Sequence, residues 1–137
     1  MSKAEPDASN NLFLEFLGDY FAECDDHLRT VRHNLLRLEN YVDEASIDRG
    51  LLDELFRSFH SLKGISGMVG LREAEQLAHT MESYLRALRD TTTTLSSSGV
   101  DALMAGARIL EEVIGAFRAG TPITDIASVI AQLASNS

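Results

Sequence analysis

The sequence predicts an all-α protein, an antiparallel up-down bundle with a four-helix core plus a fifth C-terminal helix. Three observations predict it. Apolar residues recur at steps of three and four along most of the chain, the period of one helical face. Strand signals are almost absent. Both prolines, Pro6 and Pro122, lie outside the periodic segments, where they interrupt no helix.

The first helix is expected from about Asn11 to Tyr41, capped by Asn10, with Phe13, Leu17, Phe21, Cys24, Leu28, Val31, Leu35 and Leu38 forming its inner stripe. Gly18 is a candidate break in so long a segment. After the polar connection Asp43–Ser46, a second helix runs from about Asp48 to Val69. It buries Leu52, Leu55, Phe56, Phe59 and Leu62, and Gly70 stops it. A third helix, about Arg72 to Arg89, carries Leu77, Ala78, Met81, Leu85 and Leu88. The stretch Thr91–Gly99, rich in threonine and serine, reads as a flexible loop. A fourth helix, about Val100 to Phe117, presents Leu103, Ala107, Leu110, Ile114 and Phe117 before Gly120-Thr-Pro122 ends it. Thr124 is the expected cap of a last helix that turns Ile126, Val129, Ile130 and Leu133 inward. Short connections make the first three helices antiparallel neighbours.

A length of 137 residues suits one domain with its own core. The expected division is a flexible tail over residues 1–10 and a domain over 11–134, with the loop at 91–99 inside it. No apolar run reaches the roughly 20 residues that span a bilayer, and the polar N-terminus lacks the apolar region of a signal peptide. A soluble, cytoplasmic protein is the expectation. The formal net charge of −9 disfavours nucleic acid and anionic membranes as partners. Cys24 is the only cysteine, so no intramolecular disulfide can form, and its place in the apolar stripe makes it a small core residue.

Chemistry concentrates in Phe59-His60-Ser61-Leu62-Lys63-Gly64-Ile65-Ser66-Gly67-Met68-Val69-Gly70. At about 100° per residue, His60 falls roughly 120° from the centre of the apolar face, at its solvent edge. Gly64 and Gly67 lie on the same strip, one and two turns along. Glycine costs roughly 1 kcal/mol in a helix interior relative to alanine, so two of them beside a histidine call for a reason. They open the surface around the imidazole to a bulky partner. Lys63 adds a cation that can neutralise an anionic group on, or delivered to, the ring. On the third helix His79 and Glu82 share a face. In an antiparallel pair a carboxylate from that helix can accept a hydrogen bond from Nδ1–H of His60. That bond would leave Nε2 as the nucleophile and stabilise positive charge on the ring during attack.

The run His-Ser-Leu-Lys-Gly-x-Ser-Gly-x-x-Gly resembles the phosphoacceptor motif of histidine phosphotransfer (HPt) domains. It is closest to the first domain of CheA-type chemotaxis histidine kinases. The resemblance extends through Leu71-Arg-Glu-Ala-Glu-Gln-Leu-Ala-His79-Thr-Met-Glu82, and covers about Tyr20 to Leu133. It implies that His60 is the phosphoacceptor and Lys63 its electrostatic helper. It implies that Gly64 and Gly67 clear the approach, that Glu82 orients the His60 ring, and that His79 joins the network. Ile65 departs from the small residue common after the first glycine, and the first helix is longer than usual. The partners implied are an ATP-dependent histidine kinase domain and a response-regulator receiver, in a bacterial two-component pathway that serves chemotaxis or another phosphorelay. ATP and Mg²⁺ would be used by those partners, with no cofactor and no metal held by this domain. The chain is expected to be part of a larger kinase or a free-standing carrier, and monomeric when isolated.

Other readings compete. His60, His79 and Glu82 are all metal-ligand types, but an adjacent lysine disfavours a cation. The chain shows no glycine-rich nucleotide loop, no metal-binding carboxylate cluster and no Ser/His/Asp arrangement, so a self-contained active site is not legible. A non-transferring helical interaction or adaptor module is the alternative function. His27 and His33 have no such context and read as surface residues.

Overall fold

The computed structural model describes residues 8–137, with side chains from residue 11 onward. Five helices follow one another: α1 (Ala8–Leu38), α2 (Arg49–Met68), α3 (Arg72–Arg89), α4 (Ser97–Ala119) and α5 (Ala127–Ser135). A 3₁₀ turn, Glu39–Tyr41, closes α1. Helices α1 to α4 pack as a ring in which each touches the next and α4 returns to α1, while α5 packs against α3 and α4. The fold is the predicted all-α bundle. No described helix is long and apolar enough to cross a membrane.

The core is drawn from one stripe per helix. Cys24, Leu28, Val31, Leu35 and Leu38 of α1 meet Leu55, Phe59 and Leu62 of α2, Leu77, Met81 and Leu85 of α3, and Leu103 and Leu110 of α4, all buried. Glycines let α3 and α4 approach closely. A methyl group at Gly99 would collide with the Tyr84 hydroxyl, and one at Gly106 would meet Met81 Sδ at 2.9 Å. Tyr20, at the outer end of the α1 stripe, shares a buried 2.9 Å hydrogen bond with Ser66 of α2. This bond ties α1 to the side of α2 that faces the core.

Several boundaries differ from the expectation. Helix α1 begins at Ala8, so Asn10 lies within its first turn rather than capping it. Of the expected tail, residues 1–7 lie outside the described residues. The helix runs unbroken through Gly18, which is exposed and meets no neighbour, so nothing favours a break there. Phe13 is 53% exposed rather than inward, as are Leu12 and Leu14 beside it, so among the described residues this end of α1 has no packing partner. The expected loop is shorter and better held than its composition suggested. Ser96 caps α4 by accepting from Gly99 N–H, so the last serines belong to the helix. Leu95 is buried, and its carbonyl accepts from Asp43 N–H. Thr124 does not cap α5. Asp125 accepts from Ala127 N–H instead.

The turn that positions the site follows expectation closely. Asp48 caps α2 through Leu51 N–H. Gly70 ends that helix with φ +77°, a left-handed conformation that glycine adopts without a Cβ clash. The chain reverses at once into α3, so α2 and α3 lie side by side in an antiparallel pair.

Candidate functional site

The α2–α3 pair brings His60 and Glu82 together. His60 stands on the outer edge of α2 with its side chain 64% exposed, whereas Glu82, on α3, is 2% exposed. His60 Nδ1 and Glu82 Oε2 are 3.0 Å apart. With the carboxyl ionised, the ring nitrogen donates, which places the imidazole proton on Nδ1 and leaves the Nε2 lone pair free.

The other carboxylate oxygen is taken by cations. Lys63 Nζ donates to Oε1 at 3.0 Å and Arg86 donates to the same oxygen at 3.4 Å. Burial pushes the Glu82 carboxyl toward its neutral form. The hydrogen bonds from Lys63 and His60, reinforced by the lysine charge, outweigh burial and hold its pKa below the ordinary carboxylate value. A buried, ionised carboxylate therefore faces an exposed imidazole, an arrangement that stabilises positive charge on the ring.

The glycines differ from each other. Gly64 is exposed, and a Cβ there would meet nothing within 4 Å, so the surface one turn from His60 is open. At Gly67 a Cβ would lie 2.5 Å from Glu75 Oε2, so the Glu75 side chain folds over this position. Ile65 packs against the core from the half-buried side of α2, away from the ring. His79 is exposed and makes no hydrogen bond to His60, Glu82 or Lys63 among the described residues. One turn before Glu82, it faces an open recess shared with Lys63, Gly67, Arg72 and Glu75. His60, His79 and Glu82 do not converge on one point, and no group of three metal-ligating side chains occurs among the described residues.

Two neighbours were not singled out from the sequence. Arg86 follows Glu82 by four residues, a spacing that puts the two on one helical face. Phe56, expected in the core, is only partly buried, and its ring stacks on that of His60.

Comparison with known families matches residues 15–129 to the Hpt domain. The chain belongs to the Hpt domain family. Similar proteins include three named "Chemotaxis protein CheA". The one from Treponema pallidum is 28% identical over 130 residues, covering 94% of this chain and 15% of that protein. The one from Bacillus subtilis is 30% identical over 120 residues, covering 87% and 17% respectively. The one from Cereibacter sphaeroides is 31% identical over 117 residues, covering 84% and 17%. This Hpt chain thus spans under a fifth of the length of these relatives. Among solved structures, it superimposes on the phosphorylated P1 domain of CheA3 from R. sphaeroides, there in complex with CheY6. The TM-score is 0.75 at 22% identity, covering 88% of this chain and 94% of that one. The shared fold of that structure agrees with the helical bundle described above.

Proposed function

We propose that this Hpt domain accepts a phosphoryl group on Nε2 of His60 from an ATP-dependent histidine kinase domain and passes it to the aspartate of a response-regulator receiver. The observation that carries the reading is the exposed His60 ring whose Nδ1 is held by the buried, ionised Glu82. The Nε2 lone pair attacks the γ-phosphorus, an N–P bond forms and ADP leaves. The ring gains positive charge as it does so, and the Nδ1–H···Oε2 bond stabilises it. Lys63 sits three residues on with a cation next to the same site. In the second transfer a receiver carboxylate attacks phosphorus, the N–P bond breaks, and the electron pair returns to Nε2.

Family membership supports this reading, as do the relationship to CheA proteins and the CheY6 complex of a similarly folded domain. ATP and Mg²⁺ belong to the partners; this domain supplies a positioned nucleophile and a docking surface. The reading carries a cytoplasmic setting and a monomeric isolated domain with it.

A labelling assay tests it. Labelled ATP is supplied to the protein alone, and to the protein with a CheA-type kinase core lacking its own acceptor domain. The expected result is label only with the core, lost in acid, kept in alkali, absent from His60→Gln, and discharged by a receiver with Mg²⁺. Label that persists in His60→Gln would move the acceptor elsewhere. No label with any cognate core would favour a non-transferring interaction module.

A further inference from the structure

The hydrogen bond to Glu82 fixes one atom of the His60 ring. Anchored otherwise only through its bond to Cβ, the ring can still tilt about Cβ–Cγ within the tolerance of that hydrogen bond, and His60, 64% exposed, has little packing to prevent it. Its Nε2 lone pair would then sweep an arc, and in-line attack on phosphorus tolerates only a narrow range of approach. A second restraint, acting on the plane of the ring, is needed to aim it.

Phe56 supplies such a plane. It precedes His60 by one helical turn on α2, and the two rings are nearly parallel, at 10°, with centroids 6.3 Å apart. That is an offset stack within the range where aromatic rings attract. Phe56 is itself clamped from α3. The Arg89 guanidinium lies 4.8 Å from its centroid and that of Arg86 lies 5.5 Å away, both within cation–π reach. Arg89 also approaches Asp53 of α2 at 3.9 Å, and Arg86 bonds Glu82 Oε1. The two restraints on His60 are thus joined, because the Arg86 guanidinium touches both the carboxylate and the aromatic ring. Packing alone does not demand this arrangement, since Phe56 is only partly buried and its face is spent on polar neighbours.

We propose that Phe56, clamped by Arg86 and Arg89, is a positioning residue that sets the plane of the His60 ring and so aims Nε2 at the incoming phosphorus. The proposal deepens the phosphotransfer reading and rests on His60 as acceptor. Phe56 itself touches no reacting atom.

The test compares Phe56→Leu, which keeps apolar bulk but removes the flat face, with Phe56→Tyr, which keeps the face. Two measurements are made on the full chain. The first is the ¹⁵N imidazole spectrum of His60 in the unphosphorylated protein at about pH 8.5, where an ordinary imidazole is neutral. The second is labelling by a CheA-type kinase core over a range of domain concentrations. Wild type and Phe56→Tyr are expected to show a His60 protonated mainly on Nδ1. Phe56→Leu is expected to drift toward the mixed tautomers of free imidazole. Its kcat should fall about 10-fold, a loss of alignment, with KM for the domain within about 2-fold of wild type. Arg89→Leu, which loosens the clamp and leaves Phe56 in place, should shift the spectrum the same way to a smaller extent. It serves as the readout if Phe56→Leu does not fold. Unchanged tautomers and kcat in Phe56→Leu, or an equal loss in Phe56→Leu and Phe56→Tyr, would overturn the proposal; so would an unchanged spectrum in Arg89→Leu if that variant alone is available. If even wild type takes no label, the phosphotransfer reading fails, while the spectra still decide whether Phe56 orders the ring.

Discussion

Glu82 shows how one buried side chain organises an exposed one. Its Oε2 faces His60, and its Oε1 takes both Lys63 and Arg86. The carboxyl therefore stays ionised despite its burial, with a pKa below the ordinary 4.5. A group whose folded pKa is depressed contributes stability that is full above the unfolded value and is lost as pH falls through the folded one. Wild-type stability should thus decline as pH drops below 4.5, in part through Glu82. Glu82→Gln should remove that part of the decline. The same substitution should cost about 1–3 kcal/mol at neutral pH, since it weakens charge-assisted bonds while leaving Lys63 near an amide. Denaturant titrations of both proteins across the acid range measure both effects. An identical pH slope in the two would remove Glu82 from the acid response. Glu82→Ala should also slow His60 labelling without abolishing it, because it removes the partner of Nδ1 and leaves the nucleophile; an unchanged rate would take Glu82 out of the mechanism.

At the scale of elements, the helices meet through a few polar and small residues whose chemistry is specific. The Tyr20–Ser66 bond joins α1 to α2 behind the site. Tyr20→Phe leaves the buried Ser66 hydroxyl without that partner and should cost about 1–2 kcal/mol, whereas adding Ser66→Ala should recover much of the loss. Chemical denaturation of the two single variants and the double variant measures the coupling. A double variant as unstable as the sum of the singles would mean the bond contributes nothing. Between α3 and α4 the contact is steric. Gly99→Ala should destabilise by about 1–3 kcal/mol through collision with the Tyr84 hydroxyl. Among the described residues that hydroxyl is buried without a hydrogen-bond partner, so Tyr84→Phe should be neutral or stabilising and should lessen the damage of Gly99→Ala. Thermal melts of the double variant that show no relief would place the strain elsewhere.

Across the whole molecule, stability is uneven. From Asn11 to Asp19 only Leu17 is even half-buried, whereas Cys24, Val31, Leu35 and Leu38 further along α1 are almost fully enclosed. Backbone amides of residues 11–19 should exchange with solvent faster than those of residues 24–38 by a factor on the order of a hundred or more. Comparable rates, read by hydrogen-exchange mass spectrometry, would show the overhang to be covered in solution. Cys24 reports on the bundle itself. It is fully buried, and burial first of all pushes its thiol up to about 11. Its reaction with a disulfide reagent at neutral pH should follow global unfolding, rising steeply only near the denaturation midpoint. Rapid labelling in native buffer would mean that α1 opens locally.

The chain's own pattern determined which residues make helices and which of them carry chemistry. The bounds of α3 and the Gly70 stop could be read from local signals, since periodicity and helix ends depend on near neighbours. The motif around His60 was legible for the same reason, as lysine and two glycines at helical spacing mark one strip of one helix. Local signals misjudged the ends of α1 and the anchored Leu95, where a neighbouring element or the lack of one decides the outcome. Helical spacing left open which side chain of α3 reaches the imidazole; the motif resemblance pointed to Glu82 with His79 in the same network, and the tertiary structure brings Glu82 alone of the two to the ring. His79 and Glu82 share a face, and three residues of helix, about 4.5 Å of rise, separate the two outcomes. The register is set where Leu55, Phe59 and Leu62 settle among Leu77, Met81 and Leu85, a fit between two surfaces. That fit places Glu82 under His60, leaves His79 at the neighbouring recess, and brings Arg86 and Arg89 over Phe56. A periodicity belongs to one helix, whereas register belongs to the contact between two, so periodicity by itself could not select between His79 and Glu82 and the packed pair does.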